Sequence, residues 1–270
     1  MLAVALAAMP LSARAQGKLE AAYGVSLAGI PIGAGTWTID VTDTHYTATA
    51  TGEATGLMRV FTGGHGSTTA SGTLAGSPAL SSVYASTIFS HKKTDDIHIT
   101  IEGGNVKELK LDPPLDTEPD RVPLDDAARK GVLDPMTASL LRTPGTGDPV
   151  AAEACQRTLS VFDGRMRYDL QLSFKRIEQV KAAKGYNGPA VVCGISFTPV
   201  AGYIPSRGAI RYIAKQRDIE VWLAPIAGTH ILVPYRAQSP TLIGPVVLEA
   251  TRFVSLANPT KASVNGAKTQ

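Results

Sequence analysis

Thr36-Trp37-Thr38-Ile39-Asp40-Val41-Thr42 places Trp37, Ile39 and Val41 on one side of an extended chain and threonine or aspartate on the other. Successive side chains of a strand point to opposite faces, so this alternation marks a half-buried strand. The pattern spreads outward from there. Upstream, Ala21 to Leu27 reads as a strand that ends at the turn Gly29-Ile30-Pro31-Ile32-Gly33. Downstream, His45 to Glu53 repeats the theme with Tyr46 and several threonines, and Asp43-Thr44 makes the hairpin between the two. The opening of the chain is therefore a β-meander.

Gly56-Leu57-Met58-Arg59-Val60-Phe61 fits either a short helical turn or a strand bend. Gly64 to Leu74, Ala79 to His91, Asp95 to Ile101 and Val106 to Leu111 read as further strands, with Gly103-Gly104-Asn105 as a tight hairpin signal. The texture then changes. Asp112-Pro113-Pro114-Leu115-Asp116-Thr117-Glu118-Pro119-Asp120 cannot be regular, because proline fixes φ and removes a donor. Asp134-Pro135 is an N-cap followed by a first-turn proline, and predicts one short helix ending at Arg142, where a cation suits the helix dipole. Asp125 and Asp126 read as another helix start. Strands resume at Thr158 to Phe162, and Asp163-Gly164 predicts a two-residue hairpin turn leading into Tyr168, Leu170, Leu172 and Phe174. Val180 to Lys184, Ala190 to Thr198, Ile219 to Leu223, Thr229 to Tyr235 and Val246 to Ser255 complete the series, with Gly202 to Ala214 irregular or partly helical. Roughly a dozen strands at intervals near ten residues predict a mainly β protein, an antiparallel curved sheet or open barrel with one or two short helices.

The N-terminus bears on compartment. Leu2 to Leu11 (LAVALAAMPL) is apolar and uncharged, and Ala13 and Ala15 give the small-x-small pattern of a signal-peptidase site. Residues 1–15 therefore read as a signal peptide cleaved after Ala15, the alternative being an alanine-rich disordered terminus. A membrane-spanning helix needs about 20 apolar residues, more than this run supplies. Residues 16–257 are expected to form a single β-rich domain, and 258–270 a disordered tail. The net charge is +3, from 26 lysines and arginines against 23 aspartates and glutamates, and the basic residues are scattered, which argues against a nucleic-acid footprint. Cys155 and Cys193 are the two cysteines. In an oxidising compartment they are most simply one disulfide, the alternatives being two buried thiols or a redox pair; a redox pair usually sits at C-x-x-C spacing.

No set of residues marks a catalytic centre. His45, His65, His91, His98 and His230 lack metal-ligand spacing; His91 and His98 fall on consecutive predicted strands, which could bring them together across a hairpin. Gly64-His65-Gly66-Ser67 is not a nucleophile elbow, and no phosphate-cradling glycine loop is present. Two clusters stand out. One is the hairpin tip around Arg165, Arg167 and Tyr168, whose arginines would point outward. The other is Tyr203 and Arg207, with Trp222, Tyr235 and Arg236 further along the chain. Each reads either as ordinary packing and turn residues or as a docking or ligand-lining surface.

Several segments together resemble the domain-of-unknown-function 3108 family of exported bacterial proteins. They are Gly131-Val132-Leu133-Asp134-Pro135-Met136, Phe162-Asp163-Gly164-Arg165-Met166-Arg167-Tyr168, Cys193 with Ala201-Gly202-Tyr203, Trp222-Leu223-Ala224, Val233-Pro234-Tyr235-Arg236 and Leu248-Glu249-Ala250-Thr251-Arg252-Phe253. Tyr23 to Trp37, with Ile32-Gly33-Ala34-Gly35, is similar to that family's opening. The resemblance implies a periplasmic β-rich protein of unassigned activity, distantly similar to β-spiral envelope-integrity proteins and to the open barrels of lipoprotein carriers. It transfers no catalytic residue. The expectation is a non-enzymatic, cofactor-free monomer that supports the cell envelope by binding a partner protein or an apolar, lipid-like ligand in a curved sheet. An envelope-polymer hydrolase and a lipid or lipoprotein carrier are the alternatives.

Overall fold

The computed structural model describes residues 16–257 apart from 43, 57, 60–62, 75–80, 92 and 144–146. The expected leader (1–15), the tail (258–270), Asp43 of the first hairpin and much of the Gly56–Phe61 stretch lie outside the described residues. The meander is β1 (Gly17–Leu27), β2 (Ile30–Val41), β3 (His45–Ala54), β4 (His65–Thr73), β5 (Ser82–Ser90), β6 (Lys93–Glu102) and β7 (Asn105–Asp112). The second half holds β8 (Leu141–Arg142), β9 (Arg157–Phe162), β10 (Arg167–Lys181), β11 (Lys184–Gly185), β12 (Asn187–Ala201), β13 (Ile219–Pro225), β14 (Ile231–Thr241) and β15 (Gly244–Ala257). Short helices among the described residues include α1 (Pro135–Ala138) and α2 (Gly208–Ile213).

The strands form one fifteen-stranded sheet in the order β7-β6-β5-β4-β3-β2-β1-β15-β14-β13-β12-β10-β9, with β8 attached to β14 and β11 to β15. All the pairings are antiparallel except β11 with β15. The first and last strands meet in the middle of the sheet, from Gly17 opposite Ala257 to Leu27 opposite Val246. Register shifts in β1, β10 and β13 mark bulges, which bend and twist a sheet.

The sheet does not close through β7 and β9. A strap from Lys130 to Leu133 lies between these edges at one end instead. Lys130 bridges Asn105, and the Val132 amide donates to Gly104 O at 2.8 Å. The Leu133 amide donates to Ser160 O at 2.9 Å, and the Phe162 amide to Leu133 O at 2.8 Å. The result is the open, curved sheet the strand spacing predicted.

Burial follows the sequence pattern. Trp37, Ile39 and Val41 are buried and Thr36 and Asp40 exposed, so β2 has one wet face. Part of the second half differs, because β12 and β13 are buried on both faces. Ala190 and Val192 of β12 belong to the core shared with Leu19, Ile39 and Ile99. The alternating Val191 and Cys193 belong to a second cluster with Leu141, Val150 and Ala154. Leu223 and Ala224 of β13 divide the same way. Strands covered on two faces need continuous apolar runs, which is how these segments read. Cys155, at the end of the 3-10 turn Ala152–Cys155, is joined by a disulfide to Cys193, 38 residues on. The pair lies inside the second cluster.

Several expectations are corrected. The first turn is Ala28-Gly29, and Ile30 to Gly33 already belong to β2. The segment around Tyr168–Phe174 and Val180 is one fifteen-residue strand, β10, bent by a bulge near Phe174 rather than broken there. The Asp134-capped helix stops at Ala138, and Arg142 lies in β8 opposite Ile231. Its guanidinium donates to Leu74 O at 2.5 Å, so a carbonyl of the meander holds this cation and no helix dipole does. The Asp163-Gly164 turn is wider than two residues, because Asp163 accepts amides from Arg165 and Met166 before β10 begins. His98 sits opposite Ala85 and His91 occupies the β5–β6 turn, so these histidines do not face each other.

Candidate functional site

On β2 and β3 the chain is unusually small. Gly33-Ala34-Gly35 and Ala48 to Gly52 carry no large side chain. A methyl group at Gly35 would meet Thr51 O at 2.5 Å, so the two backbones close up where no side chain fits. Larger groups stand around this thin wall: Tyr23 and Val25 on β1, Trp37 on β2, Tyr84 on β5, Pro234 on β14 and Leu248 on β15. Pro135, Met136 and Ser139 of the α1 segment complete the lining. Together they line a cavity of about 370 Å³ that is open to solvent on one side. An adjoining hollow of about 520 Å³ over β3, β4 and β5 shares Ala50, Thr51, Gly52 and Thr68, and reaches the stacked rings of His65 and Phe89, 4.8 Å apart.

A buried polar network holds α1 in this place. Asp134, fully buried, caps the helix by accepting the Thr137 amide at 2.9 Å. Its other carboxylate oxygen accepts the Thr137 hydroxyl at 2.5 Å and the Ser82 hydroxyl at 2.6 Å. Since Thr137 gives its proton to Asp134, the Tyr46 hydroxyl must donate to Thr137. Burial raises the pKa of Tyr46 and the nearby Asp134 charge adds to it, so the phenol keeps its proton. Buried polar groups are tolerable only when paired, and here each hydroxyl is used. The helix is thus tied to β3 and β5.

The lining carries no lysine, arginine, histidine, aspartate or glutamate. Its tyrosines are not poised for proton transfer either. Tyr23 donates to Pro234 O at 2.7 Å and burial raises its pKa. Burial likewise raises the pKa of Tyr84, against the lowering effect of the nearby Ser86 and Thr68 hydroxyls. Chemically the cavity is a sleeve for an uncharged, largely apolar group. Cavities of this kind, roughly 300–1,000 Å³ and mostly apolar, are where proteins hold small ligands.

A family model described as "Protein of unknown function (DUF3108)" matches residues 20–251. The chain belongs to this family. No curated protein matches it. The crystal structure of a β-barrel-like protein of domain of unknown function DUF1849 from Brucella abortus aligns with 90% of this DUF3108 chain and 98% of its own, at 11% identity and a TM-score of 0.47.

The residues that sequence alone singled out in this DUF3108 protein do not form one site. Arg165, Tyr203 and Arg207 do share a cleft, with Arg121 and Asp163. The guanidinium groups of Arg165 and Arg121 are engaged there rather than outward-facing, while Arg207 is exposed. Arg165 pairs with Asp95 and donates to Pro113 O. Arg121 donates to Gly202 O at 2.7 Å, and Arg207 lies 3.8 Å from Glu118. Arg167 is held by Ser160 and Asp169, and Tyr168 packs on Phe197. Trp222 lies elsewhere, between the guanidiniums of Arg176 at 5.4 Å and Arg236 at 4.8 Å, with its indole N–H given to Glu178. Tyr235 is buried against Phe253 in the core. Sequence reading missed the cavity because its signal is the absence of bulk, the Gly-Ala-Gly and Ala-Thr-Gly stretches within strands. Among the described residues no group of three or more His, Cys, Asp or Glu stands where it could hold a metal.

Proposed function

We propose that this chain is a non-enzymatic periplasmic protein that supports the cell envelope by holding an apolar ligand inside its curved sheet. The observation that carries this reading is the uncharged, largely apolar cavity between β1–β3 and α1. A hydrolase needs a nucleophile and a base in reach of each other, and the cavity lining supplies neither. Export is supported by the apolar Leu2–Leu11 run with Ala13 and Ala15, and by a disulfide of the kind that persists in oxidising compartments.

Native mass spectrometry of protein purified from periplasm tests the reading. The wild-type chain is expected to begin at Gln16 and to carry co-purified lipid. Ala50→Leu, which fills the thin wall, should carry less at an unchanged unfolding midpoint. A wild-type protein that is empty and takes up no lipid from vesicles overturns the proposal.

A further inference from the structure

Exposed turns are normally built from glycine, proline, asparagine, aspartate and serine. Two turns of this chain depart from that, and they touch. The three most exposed large apolar side chains among the described residues are Ile243, Leu242 and Ile30, at 73%, 68% and 65%. Leu242 and Ile243 make up the β14–β15 turn, and Ile30 begins β2 straight after the turn Ala28-Gly29. The Ala28 amide donates to Pro245 O at 2.8 Å, and a methyl group at Gly244 would meet Ala28 Cβ at 2.7 Å, so the two turns form one apolar tip. The fold asks nothing of the Leu242 and Ile243 side chains. Thr241 closes the turn, giving its hydroxyl to Gly244 O at 2.5 Å and accepting the Ile243 amide at 3.3 Å. No charged residue occurs in 21–39 or 237–248, the hairpins that carry the two turns.

Single exposed aliphatic groups are ordinary, but a cluster of them on adjoining turns marks a contact surface. Three side chains fall far short of the roughly 800 Å² that each partner of a stable protein complex buries. A bilayer needs no matching surface, because docking on it scales with the apolar area taken up plus attraction to anionic lipid. The charge beside the tip fits that occupant. Glu220 sits opposite Gln238, so the residues just before β13 lie level with the β14–β15 turn, and α2, which precedes them, packs on β14. This segment exposes Arg211, Lys215 and Arg217 against a single acid, Asp218. We infer that the β1–β2 and β14–β15 turns dip into the surface of an anionic phospholipid bilayer, with Arg211, Lys215 and Arg217 on its headgroups. The inference does not depend on what fills the cavity.

Co-sedimentation of the full chain with vesicles tests this. Vesicles of about three parts phosphatidylethanolamine to one of phosphatidylglycerol should bind the wild type, and less so as salt rises. Phosphatidylcholine alone should bind it at least about tenfold more weakly. Leu242→Ser with Ile243→Ser removes the apolar tip and should weaken binding to the anionic vesicles about tenfold or more. Leu256→Ser, at a 58% exposed site near the other end of β15, should leave it unchanged. Arg211→Gln, Lys215→Gln and Arg217→Gln together should bring it down towards the phosphatidylcholine value. Insertion is read with Leu242→Trp. Brominated acyl chains should quench its fluorescence beyond that of the wild type, whose Trp37 and Trp222 are buried. This measurement decides the matter even if the serine variant fails to fold. A wild type that stays in the supernatant with both vesicles, a folded serine variant that binds as tightly, or an unquenched added indole overturns the proposal. So does a wild-type dimer that the serine variant breaks, since the tip then serves a second copy of the chain. None of these results bears on whether the cavity holds lipid.

Discussion

Asp134 shows how much one side chain can decide. It starts α1, and its carboxylate gathers the Thr137 amide and the hydroxyls of Thr137 and Ser82 at a position with no solvent access. Asp134→Ala removes the cap and strands two buried hydroxyls. It is expected to cost about 3 kcal/mol in urea unfolding. Asp163 is a carboxylate of another kind. Burial raises its pKa, against the lowering effect of the Arg165 and Met166 amides and the Arg165 charge. An acid whose pKa is higher folded than unfolded stabilises the fold most where both states are protonated. That contribution is lost as pH rises through the folded value. Asp163→Asn keeps an acceptor for the two amides and cannot ionise. Its stability relative to wild type should therefore improve from about pH 3 to about pH 7, with little difference at the acid end. Unfolding free energies measured across that range check the sign.

Among the elements, β12 is the one that ties the second half together. Its residues feed two buried clusters on alternate sides, and the disulfide from Cys193 to Cys155 pins the 3-10 turn over one of them. Closing a loop of this length contributes roughly 3–4 kcal/mol in the chain-entropy model. Denatured, unreduced protein is expected to show no titratable thiol. Reduction, or Cys155→Ala with Cys193→Ala, should lower the unfolding midpoint in denaturant. An unchanged midpoint would mean that the clamp contributes nothing. The meander depends on pattern instead. Its one-sided strands need no covalent help, since β2 and β3 place Trp37, Ile39, Tyr46 and Ala48 on the interior face in continuous register.

At the scale of the molecule, the open seam between β7 and β9 is the feature that shapes the interior. The Lys130–Leu133 strap spans one end. The β9–β10 tip reaches across as well, with Arg165 on Asp95 and Gly164 against Ile97 and Leu111. Gly164 has φ of 94°, and a methyl group there would meet Ile97 Cγ2 at 2.9 Å. Gly164→Ala combines left-handed backbone with a clash, so a loss of about 2–3 kcal/mol is expected. Hydrogen exchange should locate the damage. Amides of β6, β7 and β9 should exchange faster than in wild type, while those of β1 and β15, far along the sheet from the seam, should not.

Much of this was legible in the amino-acid order. Alternation at Trp37-Thr38-Ile39-Asp40-Val41 sets a strand and its buried face, because strand side chains repeat every two residues whatever surrounds them. Gly103-Gly104 makes a tight turn, since both residues adopt left-handed φ at no steric cost. Asp134-Pro135 starts a helix for equally local reasons. Tertiary structure alone decided the rest. The length of α1 was set by β8 pairing with β14, which draws Arg142 out of any helix. The arginines of the tip found partners, Asp95 among them, that no local pattern announces. The cavity was the least visible feature, because a space exists only where strands distant in the chain fail to fill it together. Sequence determined the strands, their faces and the cysteines that pair. Only the closing of β1 on β15 and of the strap on both edges decided that Trp37 would line the wall of a cavity.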